Sequence, residues 1–257
     1  MTFETSRQAY DAFMGRYADR LAPLLVAFTE VERGETVLDV GCGPGSLTEA
    51  LAADVGAENV AAIDPAQQFA TATAERVPAA DVRVGAAESL PWPDDTFDAA
   101  LAQLVVNFMS DADAGVGEMR RVIRPGGTVA ACTWDYSGGM TMLRTFWDAA
   151  LALDPAAPDE ARTMHFNDQD KLRELWLRVG LEALETDALV VEVSYRDFDD
   201  YWEPFLGGVG PAGAYCSSLD PDRRGLLREE CRRRLGDPDG AFTLGATAWA
   251  VKGRRSD

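Results

Sequence analysis

The chain has 257 residues, 47% of them hydrophobic, and a formal net charge of −19. That length and apolar share are enough for one α/β core, while so acidic a surface repels phosphate backbones and argues against nucleic acid as a partner. No apolar stretch approaches the roughly 20 residues of a membrane span, and MTFETSRQAYDAF at the N-terminus lacks a signal-peptide pattern, so a cytoplasmic protein with no membrane partner is expected. In chain order, a helical pattern runs over residues 6–28, with a break expected at Pro23. Apolar runs then alternate with helical patterns. Strands are expected at 36–40, 59–63, 82–84, 97–102, 128–134, 183–193 and 242–251, and helices at 46–53, 65–76, 113–123, 141–153, 168–179 and 221–235. Pro65 suits a first helical turn, and Asn167 is a plausible N-cap for the helix after it. Such alternation predicts parallel strands joined by crossover helices.

The run VLDVGCGPG, Val37 to Gly45, reads as a buried strand ending in a glycine-rich turn that opens a helix at Ser46. Asp64 ends the next apolar run, about 20 residues after the glycines, where a ribose diol finds an acceptor. Gly41, Cys42, Gly43, Pro44 and Gly45 fall one residue short of the dinucleotide fingerprint, and Pro44 removes a backbone donor, so a dinucleotide is disfavoured. Asp39, at the strand tip, is either a carboxylate for a cofactor's ammonium or a cap for the following turn. Asp64 on its own could be an N-cap for the helix that follows it.

VLDVGCGPG, AAIDPA, GAAESLPWPDDTFDAALAQ and RVIRPGGTVA, in that order over residues 36–134, resemble the class I S-adenosylmethionine-dependent methyltransferases of the small-molecule, methyltransferase type 11-like kind. The resemblance implies a Rossmann-like seven-stranded sheet, mostly parallel with an antiparallel last strand, helices on both faces and a helical cap over the cofactor site. It implies S-adenosylmethionine as cofactor, held by Asp39, Gly41, Cys42, Gly43, Gly45, Asp64, Pro65, Ala86, Ala87, Glu88 and Gln103. Two positions depart from the family. Relatives commonly show Gly-Asp-Ala-Glu where this chain has Gly85-Ala86-Ala87-Glu88, so the usual acceptor for the adenine amino group is missing, leaving the Ala87 N–H with Glu88 or a water. Pro65 and Phe69 could flank the adenine. Asn107 and Phe108 stand where many relatives carry paired histidines, and Gln103-Leu104-Val105-Val106 replaces the Pro-Pro-aromatic motif of nucleic-acid amino methylases.

The whole chain, 1–257, is read as one methyltransferase domain, with a core at about 34–135, 167–194 and 241–252 and cap elements at about 1–30, 136–166 and 195–240. The two inserted cap segments follow strands expected to run parallel to the first, and so should rise from the rim that holds the glycine turn. Their aromatic residues, with Tyr10, Phe13 and Tyr17, suit a small apolar or aromatic acceptor. Cap helices of this kind could bury a substrate, a second subunit of a homodimer, or both. Methyl transfer from a sulfonium requires mainly alignment. A base matters for a poorly acidic acceptor, and His165, the single histidine, is the candidate, set against an exposed loop residue. RRGLLREECRRR, Arg223 to Arg234, reads as a solvated helix with Leu226, Leu227, Cys231 and Leu235 inward, rather than as an anion site. GGVGPAG, Gly207 to Gly213, reads as a flexible turn. Cys42, Cys132, Cys216 and Cys231 form no CxxC pair and read as reduced thiols with no metal. The alternative on the same fold is a non-methylating S-adenosylmethionine-binding protein, or a cyclase or rearrangement enzyme. A short-chain reductase is argued against because neither lysine, Lys171 or Lys252, has a tyrosine four residues before it.

Overall fold

The computed structural model describes residues 7–256; residue 6, the expected start of the first helix, lies outside them. The chain opens with α1 (Arg7–Tyr10), a π-helical turn (Asp11–Gly15) and α2 (Arg16–Thr29). It continues through β1 (Val37–Val40), α3 (Ser46–Val55), β2 (Val60–Asp64), α4 (Gln67–Arg76), β3 (Asp81–Val84) and β4 (Phe97–Gln103). Then come α5 (Ala112–Val122), β5 (Ile123–Trp134), α6 (Thr141–Leu153), α7 (Glu160–Thr163), α8 (Gln169–Arg178) and β6 (Leu181–Tyr195). The last elements are α9 (Phe198–Trp202), α10 (Gly210–Ser218), α11 (Pro221–Arg234) and β7 (Phe242–Arg255).

The seven strands form one sheet in the order β3-β2-β1-β4-β5-β7-β6. The pairs β1–β2, β1–β4, β2–β3 and β4–β5 are parallel, and β7 runs antiparallel to both β5 and β6. β6 therefore shares the direction of β1, and the segments after β5 and β6 both leave from the rim where β1 ends. β1 and β2 are buried along their whole length, as expected of strands covered on both faces. One apolar core joins α2, α3 and the inserted cap helices to one face of the sheet; a second packs α5 and α8 on the other face.

Several local expectations are corrected. Pro23 does not break the first helix: α2 runs through it, because Tyr17, Ala18, Leu21, Ala22, Leu25, Val26 and Thr29 form one buried stripe on both sides of the proline. Burial on that scale offsets the roughly 3 kcal/mol that an interior proline costs. Pro65 precedes α4, whose N-cap is Ala66. The cap of α8 is Asp168, whose side chain accepts from the Lys171 N–H, while Asn167 bonds Ala161 and Lys171 from outside the helix. The GGVGPAG run is no flexible turn at its end: Gly210 begins α10, which Pro211 starts and the buried Ala212 and Cys216 hold against the cap core. On α11, Leu227 and Cys231 are buried but Leu226 is exposed. Among the described residues no helix is long and apolar enough to cross a membrane.

Candidate cofactor and acceptor site

The sheet reverses its order between β1 and β4, the place where ligands bind in open α/β sheets. Beyond the carboxyl ends of those strands lies a cavity of about 410 Å³. Asp39, Gly41, Cys42, Gly43, Asp64, Pro65, Ala86, Ala87, Glu88 and Gln103 all line it, and Gly45 ends the turn behind them as the N-cap of α3.

The glycine turn is folded by its own hydrogen bonds. Gly41 and Cys42 donate to the Ile63 carbonyl at 2.7 and 3.0 Å, and Gly43 donates to Asp64 Oδ2 at 2.9 Å. Gly41 stands at φ 74°, where a Cβ would lie 2.5 Å from the Val105 side chain. Gly43, at φ 52°, has nothing within 4 Å of a built Cβ, so its open side faces space that a ligand can fill. Leu104, just past the tip of β4, is also held left-handed at φ 62°, with its N–H on the Cys132 carbonyl. A non-glycine residue in that region is strained, and such strain gathers at ligand sites.

Two acceptor atoms in the cavity wall are buried without a partner: Asp39 Oδ1 and Gln103 Oε1. Asp39 Oδ2 takes the Thr48 hydroxyl at 2.6 Å, and Gln103 Nε2 donates to the Ala18 carbonyl at 3.1 Å, so both side chains are oriented by their other atom. Burial pushes the Asp39 carboxyl up to about 7. Unpaired buried acceptors are costly, and an ammonium group is the donor that would satisfy both. Asp64 is also raised by burial, against the N–H groups of Ala66 and Gly43 that favour its charged form. Each Asp64 oxygen is held by one backbone amide; the N-cap of α4 is Ala66, so Asp64 is not the helix cap. Burial keeps the Cys42 thiol protonated, its pKa far above the ordinary value. Tyr10 and Phe69 meet edge-on in the wall beside Pro65, at 5.6 Å between ring centroids. Glu88 Oε1 accepts from the Ser110 and Asp111 N–H groups, which ties the β3 exit to the start of α5.

The cap differs from the aromatic pocket expected of it. Among the described residues, the cap aromatics that line the cavity are Tyr10, Phe13 and Tyr136; Phe146, Tyr201, Trp202 and Phe205 pack on one another, with Phe146 stacked on Phe205 at 4.5 Å. The same cavity is lined also by Met14, Trp134, Leu143 and residues 209–212. His165 is exposed and not part of this wall, so the structure does not bring it to the site. The carboxylate that does stand there is Glu160, 3% exposed, with Oε2 accepting from Trp147 Nε1 at 2.7 Å. Nothing in the sequence around Glu160 marks it. Only its place inside an inserted cap segment could have drawn attention to it.

A family model described as a methyltransferase domain matches residues 38–131, the stretch that carries β1 to β5 and most of the cofactor-end wall. A protein of Mycobacterium bovis whose function is uncharacterized is 31% identical over 232 residues, covering 84% of this chain and 81% of its own length. The chain belongs to the class I S-adenosylmethionine-dependent methyltransferase family. Within that family, it is 36% identical over 152 residues to a malonyl-[acyl-carrier protein] O-methyltransferase of Pseudescherichia vulneris, covering 57% of each chain. The chain therefore spans little more than half the length of that methyltransferase. The solved structure of the [4+2]-cyclase SpnF shares the methyltransferase fold with a TM-score of 0.60 at 22% identity, over 98% of this chain and 86% of the cyclase.

Proposed function

We propose that this methyltransferase-family chain moves the methyl group of S-adenosylmethionine to a small, apolar or aromatic molecule lodged under the helical cap. The observation that carries the reading is the continuity of one cavity, from the glycine turn with its two unpartnered acceptors to an apolar end beneath the cap. The residues fit the cofactor: Asp39 Oδ1 and Gln103 Oε1 would take its ammonium, Asp64 its ribose hydroxyls, and Pro65, Phe69, Ala86, Ala87 and Tyr10 would enclose its adenine. Bound there, S-adenosylmethionine supplies an activated methyl on a sulfonium with a neutral leaving group.

The chain's own part is to bind, align and exclude water. An acceptor atom held about 3 to 3.5 Å from the reacting carbon, in line with the breaking bond, gains most of its rate from position alone. Met14, Trp134 and Leu143 would supply the apolar wall that fixes the acceptor, and the cap would keep solvent out. The partners in this reading are a small-molecule acceptor, with neither nucleic acid nor membrane, and a second copy of the chain in a homodimer.

Titration with S-adenosylmethionine, S-adenosylhomocysteine and NAD(P)H should give binding of the first two alone. A screen of phenols, amines and quinols should then release S-adenosylhomocysteine in step with methylated product. Turnover of a substrate without S-adenosylhomocysteine would support a cyclase or rearrangement enzyme instead, and binding of NAD(P)H in place of the sulfonium would sink the reading.

A further inference from the structure

Glu160 is a buried carboxylate that the cofactor end of the cavity does not use. It opens α7, where the Asp159 side chain caps the Ala161 N–H, and it lines the same cavity as Leu143, Val209 and Pro211. Among the described residues its hydrogen-bond donor is the Trp147 indole, on Oε2. Arg144, whose charge acts on Glu160, is engaged by other carboxylates: it bonds both oxygens of Asp159 at 3.1 and 3.2 Å and pairs with Asp148 at 2.8 Å. An unneutralised carboxylate in an apolar wall costs stability, and it is a poor choice for packing alone.

We propose that Glu160 is the proton acceptor for a hydroxyl-bearing substrate, a phenol or enol seated at the apolar end of the cavity. The inference rests on the methyl-transfer reading and names its substrate class. The acceptor's O–H bond breaks as its proton passes to the Glu160 carboxylate. The freed oxygen pair forms the bond to the methyl carbon, the carbon–sulfur pair leaves with sulfur, and the carboxyl returns its proton to solvent. Burial raises the carboxyl to about 7, helped by Asp159 and opposed by the Trp147 hydrogen bond and by Arg144. The charge of Glu160 is also felt by Tyr136, whose hydroxyl accepts from Asn107 Nδ2 at 3.2 Å and which burial holds protonated. Residues 209–212, on the facing segment, add no charge. A base tuned close to neutral pH is well matched to a phenolic proton.

The test compares the full chain with Glu160→Gln on a series of substituted phenols of graded acidity, with S-adenosylmethionine present. For weakly acidic phenols kcat should fall about a hundredfold or more, the usual contribution of a positioned base. For nitrophenols already ionised at the assay pH it should stay within a few-fold of wild type. Without turnover, carbon-13 NMR of labelled glutamate carboxyls should show one titration near neutral pH, displaced by added phenol and missing in Glu160→Gln. Should the glutamine variant fail to fold, Trp147→Phe removes a hydrogen bond from the charged form, and the acidic limb of the kcat/KM profile should move to higher pH. An equal loss across the phenol series, an unmoved limb, or a wild-type protein that binds S-adenosylmethionine yet methylates no phenol would overturn the inference. Failure to bind S-adenosylmethionine at all would overturn the function proposed above instead.

Discussion

The Thr48 hydroxyl donates to Asp39 Oδ2 at 2.6 Å, from the first turn of α3 back to the tip of β1, and Asp39 Oδ1 remains buried without a partner. The pair fixes one carboxylate oxygen so that the other is presented in a single orientation. This arrangement has the character of a built receptor for a cation: the structure carries the desolvation of the acceptor before any ligand arrives, and the ligand's own hydrogen bond then relieves it.

Asp39→Asn should therefore weaken S-adenosylmethionine about tenfold to a hundredfold, the range for losing one hydrogen bond to a charged group. The pH dependence has a definite sign. A cationic ammonium prefers the ionised carboxylate, so affinity should fall as pH drops through about 7, where burial has placed the Asp39 carboxyl. Isothermal titration of both proteins from pH 5.5 to 8 checks this. A wild-type affinity that is flat across the range would remove Asp39 from the ammonium site.

Gly41 and Gly43 should separate folding from binding. At Gly41 an added Cβ meets Val105 at 2.5 Å, so Gly41→Ala should lower thermal stability, and Val105→Ala should recover part of the loss. At Gly43 the same methyl meets nothing, and Gly43→Ala should cost only the roughly 1–2 kcal/mol of a left-handed alanine while blocking the cofactor's approach. Melting curves and S-adenosylmethionine titrations of the same two variants give the comparison. A Gly43→Ala protein that binds normally would mean the ligand lies elsewhere.

The strands were legible to within a few residues because burial on both faces leaves little choice for runs such as VLDV and NVAAID. The turn at 41–45 was legible because a tight, closely approached backbone demands glycine, and the structure sets Asp64 beside it, with Gly43 N–H on its Oδ2. What escaped is tertiary. Whether Pro23 breaks a helix depends on how much apolar surface α2 buries on either side of it, and Gly210 starts a helix only because Ala212 and Cys216 have a core to enter. Glu160 becomes part of the site because α7 is folded against α6, where Trp147 reaches it. The aromatic residues of the cap are visible in the sequence, but their preference for stacking on one another, rather than lining the cavity, is a property of the packing.

Stability of the ligand-free protein should fall as pH rises through the weakly acidic range. Asp39 and Glu160 each titrate near 7 in the folded chain, against ordinary values of 3.8 and 4.5. Between those limits the folded state holds more protons than the unfolded one, so the stability derivative with pH is negative. The two groups together make the protein more stable at pH 5.5 than at pH 8, by an amount on the order of a few kcal/mol. Repulsion within a chain of net charge −19 acts in the same direction, so the decisive measurement is a difference. Asp39→Asn and Glu160→Gln should each flatten the urea-denaturation slope against pH. The carboxylates held low by hydrogen bonds and arginines, such as Asp81 with Arg83, Asp98 with the Thr36 N–H and Arg124, and Asp113 with Arg178, act oppositely, and their contribution is lost only as pH falls through their own depressed values.

Asp64 holds the glycine turn, and substitutions that part this role from the proposed ribose contact are informative. Its two oxygens accept from the N–H groups of Ala66 at 2.8 Å and Gly43 at 2.9 Å, holding the start of α4 against the glycine turn. Asp64→Ala removes both bonds, leaving two half-buried donors, and should destabilise the chain by about 2 kcal/mol. Asp64→Asn keeps one acceptor oxygen and places an amide where the other stood, so part of the turn survives while one ribose contact is replaced by a donor. The asparagine variant should thus melt nearer to wild type than the alanine variant, yet lose S-adenosylmethionine and S-adenosylhomocysteine to the same extent, because the two share the ribose. Differential scanning calorimetry with paired titrations measures both effects. A variant that discriminated between the two nucleosides would show that Asp64 senses the sulfonium rather than the sugar.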